Sequence, residues 1–244
     1  MNNPVQTHYD AFLAGSYPWI SGGWEEQTKR NLEFFSTYII SPQDNRVAID
    51  LGAGCGFQSV PLALLGFSVT VVDFCQPLLD ELRIHAGSLS IETIRSDFLY
   101  YSSWAGRHPA LIICMGDTLT HLQSLMEVKD LIRQCYRELN PGGRLVFTLR
   151  DYSREPDGAV VMIPVLRDKD RIFLCRLEYH KEKCAVQDIL YHRRQGLWER
   201  TSGKYEKIRI APGTLIHMLA DAGFAIESSS EDKEMIMVIV RKDT

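Results

Sequence analysis

The chain has 244 residues, 45% of them hydrophobic, and its formal net charge at pH 7 is −4. That length and apolar content suffice for one domain with an insertion and a full core. A slightly acidic chain without a long basic run lacks the electrostatic footprint of a nucleic-acid-binding protein. It shows neither a signal peptide nor the apolar run of about 18 residues that spans a bilayer. We therefore expect a cytoplasmic monomer or homodimer that acts on a small molecule, with neither nucleic acid nor a membrane as partner.

Six cysteines lie inside apolar segments and show no C-x-x-C spacing, at positions 55, 75, 114, 135, 175 and 184. This usage predicts reduced core thiols in a reducing compartment. Cys55, Cys75 and Cys114 fall beside predicted ligand loops, so a metal site among them is the alternative. Since no histidine or carboxylate pattern completes such a site, we expect no metal.

An aromatic segment opens the chain. Residues 8–24 contain glycines, prolines and large rings with poor periodicity, the rings being Tyr9, Phe12, Tyr17, Trp19 and Trp24. Aromatic side chains on a glycine-punctuated segment can cover a bound ligand, so we interpret this segment as a lid that uses Tyr9, Tyr17 and Trp19. The alternative is that the same rings only staple the N-terminus to the core.

The glycine-rich stretch VAIDLGAGCGF at residues 47–57 predicts a ligand-binding turn. An apolar run that ends in an acid and continues with alternate glycines is typical of a buried strand that turns sharply into a helix. Gly52, Gly54 and Gly56 let a ligand approach the backbone closely. The next strand ends in Asp73, whose carboxylate can accept hydrogen bonds from both hydroxyls of a ribose. The third glycine comes one residue too early for the dinucleotide fingerprint, which favours a nucleoside ligand other than NAD.

Strands and helices alternate through the first part of the chain, and this predicts a doubly wound, mainly parallel α/β sheet. Helices are predicted at 24–40, 58–65, 77–85 and 125–139, and strands after the first at 67–72, 90–95, 110–115 and 144–150. Ligands of such sheets bind at the carboxyl ends of the strands. The glycine turn and Asp73 both lie at such ends.

Beyond residue 152 the apolar period changes from helical to alternating. Four β-rich runs lie at 158–167, 171–180, 184–193 and 197–210. We interpret them as an inserted antiparallel meander, with a dimerisation sheet as the alternative role because an edge strand invites pairing. The predicted organisation is an aromatic lid and helix at 1–40, an α/β core at 41–151, the meander at 152–211, and a helix and β-hairpin that complete the core at 212–244.

Four segments resemble class I S-adenosylmethionine-dependent methyltransferases. They are DLGAGCG at 50–56, VVDF at 71–74, SDF at 96–98 and NPGG at 140–143. The resemblance implies a Rossmann-like, seven-stranded, mostly parallel sheet and S-adenosylmethionine as the cofactor. The chain is also loosely similar to the glycine N-methyltransferase group, in which added strands roof the acceptor site.

The resemblance implies a set of cofactor-binding residues. Asp73 would bind the ribose and Asp97 the adenine amine. Phe74 and Phe98 would line the faces of the adenine ring, with core packing as the alternative for each. Asp50 would hold the glycine loop or reach the amino end of the cofactor, and the lid would cover its methionine end. The full predicted set is Asp50, Gly52, Ala53, Gly54, Gly56, Asp73, Phe74, Ser96, Asp97, Phe98, Met115 and Gly116.

Loops after the fourth and fifth predicted strands carry the candidates for acceptor chemistry. His121 has a pKa suited to removing a proton from an amine or hydroxyl, and Asp117 can orient it. Either can instead cap the following helix. Arg150 can clamp an acceptor carboxylate and Tyr152 can line the pocket. An internal ion pair of Arg150 with Asp117 or Asp151 is the alternative.

Together these features predict an S-adenosylmethionine-dependent methyltransferase that transfers a methyl group in line to a nitrogen or oxygen atom of a small molecule. In-line displacement mainly requires positioning of the acceptor, so a strong base is optional. Two other functions stay open. One is an NAD-dependent oxidoreductase, which the glycine spacing disfavours, and the other is a protein that binds S-adenosylmethionine or S-adenosylhomocysteine without turnover.

Overall fold

The computed structural model describes residues 4–38, 45–232 and 235–243. The strands are β1 (Val47–Leu51), β2 (Ser68–Asp73), β3 (Ile91–Arg95), β4 (Leu111–Cys114), β5 (Arg144–Arg150), β6 (Val160–Arg167), β7 (Arg171–Tyr179), β8 (Lys183–Arg194), β9 (Leu197–Ile208), β10 (Phe224–Asp232) and β11 (Met235–Lys242). The helices are α1 (Pro4–His8), α2 (Tyr17–Ile20), α3 (Trp24–Tyr38), α4 (Ser59–Leu64), α5 (Gln76–Ala86), α6 (Leu125–Glu138) and α7 (Pro212–Asp221). In this described part of the chain, every helix is too short or too polar to cross a membrane.

A mixed sheet runs through the centre in the strand order β10-β11-β5-β4-β1-β2-β3. Strand β1 pairs in parallel with β2 and β4, and β3 and β5 extend the parallel part on either side. Strands β10 and β11 continue it antiparallel to β5. The predicted doubly wound, mostly parallel, seven-stranded sheet is confirmed. Its strand order reverses between β1 and β4, where α/β sheets open a crevice for ligands.

Helices cover both faces of the sheet because its central strands are apolar on both sides. Leu111 and Ile113 of β4 pack in one cluster with α3, α4 and α5, whereas Ile112 and Cys114 pack in another with α6 and α7. All four side chains are at most 1% exposed. Successive side chains of a strand point to opposite faces, and burial of each large aliphatic one contributes about 1.5–3 kcal/mol. The core therefore holds the strand ends firmly beneath the loops that follow them.

The chain leaves the core after β5 and returns at α7, and between them β6 to β9 form an antiparallel sheet in sequence order. The predicted inserted meander is confirmed, whereas the domain boundaries at residues 40, 151 and 211 stay a prediction. Arg209, just beyond β9, donates to the carbonyl oxygens of Tyr152 (2.8 Å) and Ser153 (3.1 Å). These bonds tie the end of the meander to its beginning, beside the carboxyl end of β5.

The N-terminal segment is helical, which the sequence analysis did not predict. Between α1 and α2 lie a π-helical turn (Tyr9–Leu13) and a 3-10 turn (Ala14–Ser16). Turns with unequal numbers of residues shift the apolar positions away from a 3.6-residue period, so the rings show no regular pattern in the sequence. Helix α3 begins at Trp24 as predicted. Its predicted end, at residues 39 and 40 before Pro42, lies outside the described residues.

Candidate active site

The loop after β1 comes so close to the turn after β4 that a side chain at its first position has no room. Gly52 has a φ of +74°, and a Cβ there would lie 2.2 Å from Cγ2 of Thr118. The N–H of Gly52 donates to the carbonyl oxygen of Val72 (2.8 Å), and the hydroxyl of Thr118 donates to that of Met115 (2.8 Å). The loop is therefore fixed between the ends of β2 and β4, and glycine is required there.

Asp73, the last residue of β2, presents its carboxylate beside this loop. One oxygen accepts from the N–H of Gly54 (2.8 Å) and the other from that of Cys75 (2.8 Å). Burial raises the pKa of Asp73 to about 6, although these hydrogen bonds favour the ionised form. Since a carboxylate oxygen has a second lone pair, each can accept a ligand hydroxyl while the backbone holds it. Asp73 thus lies where its predicted ribose-binding role requires, and the role stays a prediction.

Asp50 lies beneath the loop and binds the helix that follows it. Its Oδ2 accepts from the hydroxyl of Ser59, at the start of α4 (2.6 Å). The side chain is 1% exposed, and this burial raises the pKa of Asp50 to about 7. Of the two roles predicted for Asp50, the contact with Ser59 supports holding the glycine loop in place.

A pocket with about 480 Å³ of empty space opens above the loops, and it is lined by Tyr9, Tyr17, Gly52, Gly54, Asp73, Phe74, Leu78, Phe98, Gly116, Thr118 and His121. Most of these were predicted cofactor, lid or acceptor residues, whereas Leu78 and Thr118 were not. Among the other predicted cofactor residues, Gly56 packs against α5: a Cβ there would lie 2.6 Å from Cγ of Leu82. Ala53 and Met115 are buried beside the lining residues.

A second pocket adjoins the first, because Phe74, Phe98 and His121 line both. Asp97 lies in this second pocket, and its Oδ1 accepts from the backbone N–H two residues further on (2.9 Å). The hydroxyl of Ser96 donates to the carbonyl oxygen of Asp97 (3.1 Å). Asp97 and the two phenylalanine rings thus lie together in the pocket next to the one that contains Asp73, as recognition of an adenine ring would require. Those roles stay predictions.

Two of the three predicted lid residues close the first pocket. The rings of Tyr9 and Tyr17 lie 6.0 Å apart, and Tyr9 stands edge-on to His121 at 5.7 Å. Trp19 is not among the lining residues. Instead, the guanidinium of Arg171, in β7, lies 4.1 Å from the centre of its ring. Trp19 therefore fastens the N-terminal segment to the meander by a cation–π contact.

Asp117 is held from four directions. Its Oδ2 forms an ion pair with Lys207 and accepts from the hydroxyl of Tyr152 (2.8 Å). Its Oδ1 accepts from the N–H of Arg150 (3.0 Å) and from the hydroxyl of Thr120 (3.0 Å). Burial alone would raise the pKa of Asp117, but the ammonium of Lys207 and these hydrogen bonds hold it below its usual value. Asp117, Arg150 and Tyr152 lie outside the lining of the first pocket, and their predicted catalytic and acceptor-binding roles stay predictions.

His121 is a neutral imidazole at the inner wall of the pocket. Burial and, after it, the ammonium of Lys207 lower the pKa of His121 to about 3. Its Nε2 lies 3.4 Å from the hydroxyl of Tyr9, and its buried Nδ1 has no hydrogen-bond partner among the described residues. A neutral ring can orient an acceptor through a hydrogen bond, but a pKa near 3 makes it a weak base at neutral pH.

Four further residues lie around His121, and the sequence analysis did not single them out. They are His8, Asp188, Tyr205 and Lys207. The ring of Tyr205 lies between those of His8 (4.6 Å) and His121 (5.4 Å), and Nε2 of His8 lies 2.9 Å from Oδ2 of Asp188.

One sequence signal pointed to this group. Cys184, Val186 and Asp188 occupy alternate positions of β8, and all three are buried. An acid on the covered face of a strand is rare unless it is paired. The sequence could therefore have indicated Asp188 as a candidate site residue, but it could not have indicated that His8 is its partner.

Comparisons with known proteins find similarity to methyltransferases. Residues 48–143 match the family model described as a methyltransferase domain. The glycine/sarcosine N-methyltransferase of Halorhodospira halochloris is 28% identical over 132 residues, which are 53% of this chain and 48% of that protein. The CcbJ methyltransferase of Streptomyces caelestis has a similar structure, with a TM-score of 0.81 at 20% identity over 98% of this chain and 99% of that one. CalS10, an amino pentose methyltransferase of Micromonospora echinaspora described with S-adenosylmethionine bound, has a TM-score of 0.71 at 15% identity over 90% of this chain and 92% of that one.

Residues 48–143 match a methyltransferase domain and the fold is that of solved S-adenosylmethionine-dependent methyltransferases, so the predicted resemblance to the class I enzymes is confirmed. The comparisons also support the predicted enzyme class and cofactor. The chain spans about half the length of the curated relatives that it matches, 48% of the first.

Proposed function

We propose that this chain transfers the methyl group of S-adenosylmethionine to a nitrogen or oxygen atom of a small molecule. The observation that supports this best is one pocket in which the glycine loop, the carboxylate of Asp73, two tyrosines of the N-terminal segment and His121 meet. The first two suit a nucleoside, and the ring of His121 also contacts that of Tyr205 in the meander (5.4 Å). A ligand bound there would have its ribose at Asp73 and its reactive end near His121.

The residues present fit this cofactor. Asp73 would hold the ribose, Asp97 the adenine amine, and Phe74 and Phe98 the ring faces, while the Gly116 backbone lines the methionine side. When bound, the cofactor would supply an electrophilic methyl carbon for the acceptor's lone pair, with S-adenosylhomocysteine as the leaving group and the acceptor's proton released to water.

Side chains of the N-terminal segment and of the β4 loop would position the acceptor. Tyr9 and Tyr17 close the pocket and exclude water, and aromatic faces stabilise a sulfonium by about 1–2 kcal/mol where it is desolvated. The neutral ring of His121 can accept a hydrogen bond from an amine or hydroxyl. Because in-line displacement depends chiefly on alignment, these contacts suffice without a strong base. The ion pair of Lys207 with Asp117 and the contact of Asp188 with His8 support a role of the meander as the roof of the acceptor site.

A second candidate is binding of the cofactor or its demethylated product without turnover. It is favoured by the full set of bonds to Asp117 and the low pKa of His121, which leave the described site without a strong base. An NAD-dependent oxidoreductase is less well supported, because Phe57 stands where the dinucleotide fingerprint has glycine. Its ring is buried against Tyr17 and Trp24, with centroids 6.1 and 4.9 Å away.

Product formation separates these candidates. The protein is incubated with S-adenosylmethionine and panels of small amines, phenols and carboxylates, and S-adenosylhomocysteine is quantified by mass spectrometry. We expect acceptor-dependent product with at least one amine or hydroxyl compound, and its loss in Asp73→Asn. Tight cofactor binding without product across all panels would favour the binding protein instead.

A further inference from the structure

The meander carries a buried carboxylate that contacts the N-terminal segment. Asp188 of β8 is 3% exposed and lies opposite Cys175 of β7 and Gly203 of β9. Burial raises the pKa of the Cys175 thiol to about 12, and the charge of Asp188 adds to this. The thiol therefore stays neutral beside the carboxylate. A buried carboxylate needs a donor or cation to offset its desolvation.

Besides the Cys175 thiol, its donor is His8, which comes from the N-terminal segment and not from the meander. Its ring occupies a notch above Gly203, where an added Cβ would lie 2.2 Å from Nδ1 of His8. Nε2 of His8 lies 2.9 Å from Oδ2 of Asp188, and the two side chains are only 2% and 5% exposed. The ring of Tyr205 forms one wall at 4.6 Å. We call the space bounded by Cys175, Asp188, Gly203 and Tyr205 the Asp188 notch.

The occupant of this notch belongs to the predicted lid segment. Tyr9 and Tyr17, on the same segment as His8, line the cofactor pocket, so opening of this lid for a nucleoside ligand would move the whole segment. That motion withdraws His8 from Asp188 as well. The carboxylate then loses its imidazole donor and keeps the Cys175 thiol, and Tyr205 is the ring that contacts both His8 and His121.

We propose that the Asp188 notch is an amine subsite of the acceptor site, and that the His8 imidazole occupies it until the acceptor binds. An amine group of the small molecule replaces Nε2 of His8 as the donor to Oδ2 of Asp188. Gly203 leaves room for the group that carries this amine, and Tyr205 packs against it. The proposal rests on the proposed function and narrows its acceptors to amino compounds.

The notch can be tested without knowing the acceptor. In His8→Ala, the vacated space should bind free imidazole and methylammonium, followed at the Gly203 amide by ¹H–¹⁵N NMR titration at constant ionic strength. Acetate is the anionic control and should not bind. Wild type should bind imidazole at least about tenfold more weakly, because its own His8 competes. His8→Ser serves in the same way if His8→Ala does not fold.

Two double variants make the assignment specific. His8→Ala with Asp188→Asn should weaken imidazole binding by about tenfold or more, because a charge-assisted hydrogen bond is lost. His8→Ala with Gly203→Ala should weaken it too, because the added methyl fills the notch. If the folded single variant binds neither imidazole nor methylammonium, the contact between His8 and Asp188 is packing alone and the proposal fails.

A kinetic readout connects the notch to catalysis. For an amine acceptor found in the product screen, Asp188→Asn should raise KM about tenfold or more and leave S-adenosylhomocysteine affinity within twofold. An unchanged KM would overturn the acceptor role. The two failures are distinguishable, since lack of any turnover contradicts the proposed function, whereas imidazole titration of His8→Ala needs no cofactor.

Discussion

Asp50 and Asp73 are acids buried at the carboxyl ends of adjacent strands, and their partners differ. The carboxyl of Asp50 accepts from one hydroxyl, that of Ser59, whereas Asp73 accepts from two backbone N–H groups. Burial raises the pKa of both. Only Asp73 lines the pocket, so its ionised form can be stabilised further by a ligand, while Asp50 acts through the position of the loop.

Asp50→Asn should remove part of the pH dependence of stability. A carboxyl with a folded pKa of about 7 keeps its proton when the same group in the unfolded chain, with a pKa near ~3.9, has lost it. As the pH rises between these values, the wild type therefore loses stability, by up to about 1.4 kcal/mol per pH unit from this group. Asparagine carries no such proton. In urea denaturation at a series of pH values, the unfolding free energy of Asp50→Asn relative to that of the wild type should rise from about pH 4 to about pH 7 and then stay constant. A constant difference across that range would contradict the raised pKa.

Gly52→Ala tests the close approach of the glycine loop to Thr118. Positive φ alone costs an alanine about 1–2 kcal/mol, and the 2.2 Å approach to Thr118 adds to this. Gly66→Ala is the matched control, because Gly66 has a φ of +93° with nothing within 4 Å of its Cβ position. Urea denaturation should show a larger loss of unfolding free energy for Gly52→Ala. Equal losses of unfolding free energy in the two variants would mean that Thr118 moves aside at no cost in stability.

At the scale of elements, the N-terminal segment connects two parts of the site. Tyr9 and Tyr17 close the cofactor pocket, while His8 and Trp19 contact Asp188 and Arg171 of the meander. Movement of this segment would therefore open the pocket and at the same time break its contacts with Asp188 and Arg171 of the meander. These contacts fit both predicted roles, because the tyrosines can cover the pocket as a lid while His8 and Trp19 can staple the segment to the rest of the protein.

Deletion of residues 1–23 should weaken S-adenosylhomocysteine binding by about tenfold or more while the α/β core stays folded, because two pocket walls are lost. Calorimetric titration measures the affinity and circular dichroism the fold. Tyr9→Ala should show part of the loss, and Tyr38→Ala, an exposed tyrosine on α3 (42% exposed), should show none. Unchanged affinity in a folded deletion variant would leave only the staple.

The sequence predicted those elements whose signals are local. The glycine loop and Asp73 each stand beside their own strand, and parallel pairing brings them together because the carboxyl ends of parallel strands share one edge. The N-terminal helical turns gave no periodic signal, since their residues per turn change along the segment. The contact of His8 with Asp188 joins residues 180 positions apart. It depends on how the meander folds back over the sheet, which no local pattern encodes.

At the scale of the whole molecule, three parts of the chain meet around the pocket. The α/β core supplies the glycine loop and Asp73, and the N-terminal segment supplies the tyrosines, while Lys207 and Asp188 of the meander contact Asp117 and His8 beside them. The ion pair of Lys207 with Asp117 joins the meander to the core, and Trp19 joins it to the N-terminal segment. In the proposed function, such an arrangement holds the cofactor site constant while the meander determines the acceptor.

The measurement that tests the central claim most directly is calorimetric titration of the dialysed protein with S-adenosylmethionine, S-adenosylhomocysteine and NAD, repeated on Asp73→Ala. Asp80→Ala is the control, because Asp80 is an exposed acid on α5. We expect micromolar binding of the two adenosyl compounds to the wild type and the control, at least about tenfold weaker binding to Asp73→Ala because the ribose hydrogen bonds are lost, and no binding of NAD. Binding of NAD alone, or equal affinity in Asp73→Ala, would contradict the account.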